Sequence, residues 1–343
     1  MNTVPAGSHP APAGSRQLAG VALAALSGVA LAAQSRVNGQ LAAALRDINP
    51  AAGALNGELA ALISTVLGLV LLALFVPTVP FGRRGLRRLG AALRTGRLRW
   101  WQCAGGVCGA LLVTTQGVTV AELGVAVFTV AVVAGQVLVS LAVDRAGLGP
   151  QGPQPLSTRR TLGALLAVPA VAIAVADQFG HTTLLLLAAL PLAAGAGTAW
   201  QQAMNGRVTV WSGGSSMVAA LVNFTVAASV LALVAIVPVT LFGRPTRLPD
   251  TWWLYLGGGL GIVLIAGAAA SVRLVGVLVM GLSSVAGQLV GALVLEVVVP
   301  AGPRGSLLFP VLGTVLALVA VVVAGLSRQR GAGGGRGSER MPS

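Results

Sequence analysis

The tetrapeptide VAGQ occurs twice, ending at Gln136 and at Gln288, and each copy closes 36 residues after the first member of a Trp-Trp pair, Trp100-Trp101 or Trp252-Trp253. Laid over each other without a gap, these segments also align Gly105 with Gly257, Gly106 with Gly258, Gly109 with Gly261, Gly124 with Gly276, and the acids Asp144 and Glu296. Upstream, Gln34, Asn38 and Gly39 match Gln201, Asn205 and Gly206, and downstream Leu162-Gly163 matches Leu312-Gly313. The chain is one unit used twice. It must therefore fold as two related halves, and repeats this long and this apolar are typical of membrane transporters.

Only 9% of the residues are charged and 55% are hydrophobic, with a mean hydropathy of +0.88, whereas a soluble domain carries about 25% charged residues. A run of about 20 apolar residues crosses a bilayer as a helix whose backbone satisfies its own hydrogen bonds. The runs predict an all-α membrane protein with about ten transmembrane helices, near residues 18–37, 52–76, 100–119, 123–143, 160–177, 183–203, 216–240, 252–271, 274–297 and 306–326. The junctions at 119–123 and 271–274 are read as tight hairpins, because only Glu122 and Arg273 interrupt the apolar stretches there. Five crossings per half is an odd number, so the second half must enter the membrane from the opposite side. The expectation is two inverted five-helix repeats, residues 17–178 and 179–327, between a disordered N-terminus (1–16) and a disordered basic tail (328–343).

Arginine placement tests that inversion. All 22 basic residues are Arg, and residues 83–99 hold seven of them (Arg83, Arg84, Arg87, Arg88, Arg94, Arg97 and Arg99), while the equivalent loop, residues 244–250, holds Arg244, Arg247 and Asp250. Loops of such different charge belong on opposite faces, and the rule that cytoplasmic loops are the basic ones puts both termini in the cytoplasm. This also accounts for the formal net charge of +14. The arginines of residues 83–99 alternate with leucines as on a basic amphipathic helix resting on anionic lipid headgroups; nucleic acid is not an expected partner, since no aromatic residue interleaves them. The run after Arg16 imitates a secretory leader, but its internal copy near residue 190 is no leader, which favours a retained first span. Cys103 and Cys108 are two small buried hydrophobes, and neither a metal site nor a catalytic set, and so no cofactor, is expected.

The polar residues within the spans are few. Gln34 and Asn38 share one helical face near the outer end of the first span, and Gln201 with Asn205 repeats that face near the opposite mouth. Gln136 and Gln288 lie well inside spans four and nine; Asn223 lies in span seven with Ser64 as its partner in the repeat, whereas Gln116 matches Ala268. Each amide could simply hold helices together, a role worth about 1 kcal/mol or less. The repetition points further, because inverted repeats bring equivalent positions together at a central interface where transporter sites lie. The substrate-binding candidates are Gln136, Gln288, Gln34, Asn38, Gln201, Asn205 and Asn223. Glu58 is the one carboxylate placed inside a span, and two readings of it stay open: a proton-coupling carboxyl, or a wet interfacial residue if span two starts later.

The Q-x-x-x-N-G ends of spans one and six, the AALIS and AALVNF openings of spans two and seven, and the WW-to-VAGQ segments resemble the YdcZ-like branch of the drug/metabolite transporter superfamily, over residues 17–326. The resemblance implies a carrier, often an exporter of small metabolites, in the inner membrane of a bacterium, with a cavity between two halves and cytoplasmic termini. Many members of that branch are single five-span units that pair, and this chain resembles two of them fused; a homodimer of the whole chain stays open. It departs from the pattern in a long first external loop, residues 40–57, and in its arginine-dense second loop. The function expected is secondary transport by alternating access, with proton coupling through Glu58. The alternatives are a non-transporting membrane scaffold and an uncoupled uniporter.

Overall fold

The computed structural model describes residues 13–150, 152–155, 158–178, 182–299 and 307–325. Eleven helices occur among them: α1 Ala13–Ile48, α2 Asn56–Phe75, α3 Pro80–Arg94, α4 Gly106–Leu123, α5 Val125–Arg145, α6 Thr158–Ala174, α7 Thr182–Trp211, α8 Ser216–Val234, α9 Ile236–Phe242, α10 Gly257–Val298 and α11 Leu308–Gly325. Short 3-10 turns at Trp100–Cys103 and Trp252–Tyr255 precede α4 and α10, so the Trp pairs mark the same step in both halves. Most of the segment read as an N-terminal tail, and the tail after residue 325, lie outside the described residues.

Seven segments are long and apolar enough to cross a membrane, and three shorter apolar helices, Thr161–Ala174, Gly257–Ala268 and Leu308–Val323, bring the set to ten. The count depends on α10. As a straight rod its 42 residues would run about 63 Å, twice the hydrocarbon thickness. Its neighbours on α1 show that it reverses instead. Gly257 packs on Asn38, Gly261 on Gln34, Gly267 on Ser27 and Leu274 on Gly20; then the chain returns, with Gly287 on Ala25, Ser284 on Gly28 and Gly291 on Val29. The two legs of α10 are spans eight and nine, lying side by side along α1.

The halves are inverted. Along α1 and α4, Ser35 and Asn38 meet Gln116 and Gly39 meets Val120, so these helices run parallel. Along α4 and α7, Gly105 meets Asn205 and Gly109 meets Gln201, so these run antiparallel. Hence α1 and its repeat partner α7 point in opposite directions. Likewise α2 runs antiparallel to α8, with Ala61 clustered with Ala227 and Leu231, and Gly68 against Phe224. A two-fold axis across the helices relates the repeats, as an odd crossing number requires.

Glycine sets how the halves interlock. A Cβ on Gly28 would collide with the Ser284 carbonyl, and one on its repeat equivalent Gly195 with the Val132 carbonyl; Gly287 meets the Ala25 carbonyl as Gly135 meets that of Leu192; Gly258 meets Ser64 as Gly106 meets Asn223. Each pair is the same contact made twice. In lipid no hydrophobic drive joins helices, so the close backbone approach that glycine permits supplies dispersion contact instead. The hairpin of each half thus packs on the first two helices of the other: α4 and α5 on α7 and α8, and α10 on α1 and α2.

Two sequence expectations need correction. Residues 40–57 are no loop: α1 continues to Ile48, with Leu41 and Leu45 fully buried beside Leu59 and Leu254, and a 3-10 helix, Pro50–Leu55, completes the link. As a result Gln34 and Asn38 are not near an outer mouth; Asn38 sits level with Ser64, near the middle of α2. Glu58 lies in the first turn of α2 and within the apolar segment Pro50–Phe75. The basic segment does form an amphipathic helix, α3, which buries Gly82, Gly85, Leu89 and Ala92 on one stripe and exposes its arginines.

Candidate transport site

Repeat-equivalent helices meet at three places: α2 with α8, α6 with α11, and α5 with the second leg of α10. Val130, Val133 and Val137 share one apolar cluster with Leu282, Val285 and Leu289, so each residue packs among its own repeat equivalents. The two-fold axis passes through this cluster. Gln136 and Gln288 stand one turn along from Val133 and Val285, near the middle of α5 and of the second leg of α10. Gln288 is buried and Gln136 half-buried.

These glutamines mark a boundary in packing. On α5 every residue from Leu123 to Gly135 is buried, and those after Gln136 become half-exposed. On the second leg of α10 residues 279–286 are half-exposed, Gly287, Gln288, Leu289, Gly291 and Ala292 are buried, and Val290, Val294, Val297 and Val298 are exposed. Positions related by the repeat are therefore packed differently. The end of the bundle holding the α4–α5 turn is closed, and the end holding α3 is open. Gly124 makes the closed turn, with a φ of 80° that favours a residue lacking Cβ.

Polar contacts reinforce the closed end. Asn38 Nδ2 donates to Gln116 Oε1 at 2.7 Å, and Gln116 Nε2 donates to Ser35 Oγ at 3.0 Å. Arg46 pairs with Glu122 at 2.9 Å between α1 and α4. The Val125 N–H, at the start of α5, donates to Glu296 Oε2 at 2.6 Å, and Glu296 also acts electrostatically on buried Arg36.

The equivalent cluster toward the open end is looser. Gln201 Nε2 donates to Asn223 Oδ1 at 3.0 Å, and Asn205 is half-buried. A Cβ on Gly105 would stand 3.1 Å from Asn205 Oδ1 and 3.4 Å from Asn223 Oδ1, whereas one on Gly257 would collide with Asn38 Oδ1 and stand 2.5 Å from Ser64 Oγ. The pair α1–α4 packs along its length, while among the described residues its repeat equivalent, α7 with the first leg of α10, makes only marginal contact. The amide candidates thus form two symmetry-related groups, Gln34 and Asn38 against Gly261 and Gly257, and Gln201, Asn205 and Asn223 against Gly109 and Gly105, while Gln136 and Gln288 are carried by α5 and the second leg of α10.

Glu58 lies apart from those groups. Half-buried between α2 and α4, it accepts a hydrogen bond from Thr114 Oγ1 at 2.8 Å beside the Gly57–Gly117 contact. Nor is it the lone intramembrane acid, since the second leg of α10 carries Glu296 within the apolar segment Val279–Val298. Glu296 had a signal in the repeat, its match with Asp144, but its partner on α5 lies 171 residues away. Gln116, which has no polar counterpart in the repeat, joins Asn38 to Ser35. Among the described residues no group of His, Cys, Asp and Glu could hold a metal ion.

A protein-family comparison agrees with this architecture. The family model described as "Putative inner membrane exporter, YdcZ" matches residues 19–173 and again 186–323, one match in each repeat. No curated protein matches the chain.

Proposed function

Because the chain belongs to the YdcZ inner membrane exporter family, we propose that it moves a small metabolite or drug-like solute out of the cell by alternating access around Gln136 and Gln288. It is a multi-pass membrane protein and a transporter rather than an enzyme. The observation that carries the mechanism is the unequal packing of equivalent positions: residues 123–135 enclosed, residues 279–286 half-exposed. Two inverted repeats that hold different packing give access from one side, and exchanging the two arrangements gives access from the other. The amides supply donors and acceptors without net charge, which suits a neutral or zwitterionic solute. Comparing metabolites released by overexpressing and deletion strains identifies the solute, and flux into proteoliposomes then measures its transport.

Three further proposals belong to this reading. The arginine-rich end is cytoplasmic, in the inner membrane of a bacterium, so the access path in this structure faces the cytoplasm and both termini lie there. Helix α3, with Arg83, Arg84, Arg87 and Arg88 exposed around its buried stripe, rests on anionic headgroups at about 1 kcal/mol per arginine near the surface. Replacing these four arginines by glutamine is expected to abolish any activation of transport by anionic over zwitterionic lipid; unchanged lipid dependence removes the proposal. Glu58 couples export to proton entry. Glu58→Gln is expected to leave solute counterflow intact while transport stops responding to an imposed pH gradient, and a gradient response equal to the parent's removes the coupling clause.

A further inference from the structure

The glycine contacts that both repeats make, at Gly28 and Gly195, Gly135 and Gly287, and Gly106 and Gly258, lie within one of two composite bodies, whereas Gly39–Val120, Gly57–Gly117 and Gly68–Phe224 cross between them. The first comprises α4, α5, α7 and α8; the second comprises α10, α1 and α2. Both repeats make the six contacts within the bodies alike, so the two bodies are built in the same way, and the two ends differ in the links crossing from one body to the other. At the closed end the crossing links are Asn38–Gln116, Arg46–Glu122, Glu58–Thr114 and Glu296–Val125.

Repeat alignment separates these links. Gln116 matches Ala268, Glu122 matches Leu274 and Thr114 matches Ala266, so those three links have no equivalent at the open end. The fourth differs. Glu296 matches Asp144, a second carboxylate, and the Gly124-Val125 start of α5 matches Gly276-Val277 in α10. A backbone N–H is present whatever the side chain, so both members of this link exist twice.

We propose that Glu296 and Asp144 are paired latches of the transport cycle. Glu296 holds the outer end shut by capping the start of α5 at Val125, and Asp144 holds the inner end shut, in the opposite state, by capping the second leg of α10 at Val277. At Val125 a carboxylate is favoured by the partial positive charge of a helix start and by a charge-assisted hydrogen bond; Val277 lies within α10 in this state, and the opposite state gives the second leg the start that α5 has at Val125. Asp144 stands at the inner end of α5, one residue before the helix closes, and on the first body. Its target is on the second body. The latch at each end therefore joins the two bodies, and release of one leaves the other free to form. This assignment rests on the alternating-access reading and adds to it which residues set the balance between states.

The test reads access without needing the solute. Thr129 is fully buried at the closed end, on the helical face it shares with Gln136, whereas a Cβ at its repeat equivalent Gly281 meets nothing within 4 Å. With Cys103 and Cys108 replaced by serine, Thr129→Cys reports outward opening to an impermeant maleimide added outside cells, and Gly281→Cys reports inward opening in inverted vesicles. Loss of a charge-assisted hydrogen bond shifts such an equilibrium by about tenfold or more. Glu296→Ala is expected to raise outside labelling of Thr129→Cys by about that factor and to lower inside labelling of Gly281→Cys. Asp144→Ala is expected to do the reverse, taking outside labelling of Thr129→Cys below the parent level. Glu296→Gln, which keeps an acceptor oxygen without the charge, is expected to fall between parent and Glu296→Ala, and it serves where the alanine variant does not fold. Reciprocal labelling that the two alanine variants fail to push in opposite directions overturns the latches alone. Labelling of both positions at the same time in the parent overturns alternating access itself.

Discussion

Replacing Gly28 by alanine is expected to leave almost no folded protein, and Gly195→Ala is expected to do the same. In each case the new Cβ would fall on a carbonyl oxygen of the opposing helix, that of Ser284 or of Val132, and at Gly28 also 2.7 Å from the Gln288 backbone nitrogen. No side-chain rotation relieves a collision with backbone, so α1 must move away from α10 along its length. Overpacking at sites that can adjust costs about 1–3 kcal/mol; here the loss exceeds that range, because separating the helices removes the close contacts that replace hydrophobic drive in lipid. The contrast lies in Gly90 and Gly281, where a Cβ meets nothing within 4 Å. Alanine there is expected to be neutral or to stabilise by up to about 1 kcal/mol, the helix-propensity difference. Size-exclusion profiles and thermal midpoints in detergent read all four variants. Folded Gly28→Ala and Gly195→Ala with parental midpoints would contradict the interlock.

Gln136→Ala and Gln288→Ala are each expected to lower the initial rate of solute flux by about tenfold, a loss of roughly 1.4 kcal/mol, with thermal midpoints close to the parent's. Both amides lie near the middle of helices that meet their repeat equivalents, where on α5 enclosed packing gives way to half-exposed packing. A solute bound there loses one or more hydrogen bonds with each substitution. Interhelical attachment would read out differently: its loss is worth about 1 kcal/mol or less and lowers stability together with flux. Full flux in both variants would take the site away from these residues. A fall in midpoint that tracks the fall in flux would reduce them to packing.

Which parts of this architecture can be read from residues alone follows from what each part depends on. The duplication is visible because both copies need the same glycines at the same helix contacts, so Gly105 and Gly257, or Gly135 and Gly287, persist as landmarks in otherwise interchangeable apolar sequence. Inversion is visible because an odd crossing number and unequal arginine content leave one arrangement. The exchange of partners between halves is not visible: nothing local in α10 indicates that it folds along α1 rather than along a helix of its own repeat. The end of α1 is lost for a related reason. Residues 41–48 are alanine- and leucine-rich with Arg46 and Asp47, which reads as a helix leaving the membrane until burial of Leu41 and Leu45 beside Leu59 shows that it continues. That extension moves Asn38 from a mouth to mid-depth, and so alters the site more than it alters the fold. Glu296 was hidden because its partner is a backbone N–H on the opposing hairpin, which carries no residue signature.

The inverted pair of repeats is tested most directly by where two loops face. Thr95, beside the arginine-rich helix α3, and Thr246, in the equivalent loop after α9, are both exposed. In a background lacking Cys103 and Cys108, an impermeant maleimide is expected to label Thr95→Cys only in inverted vesicles and Thr246→Cys only from outside intact cells. Labelling of both cysteines from the same face would contradict the inversion, and with it the shared mid-depth site.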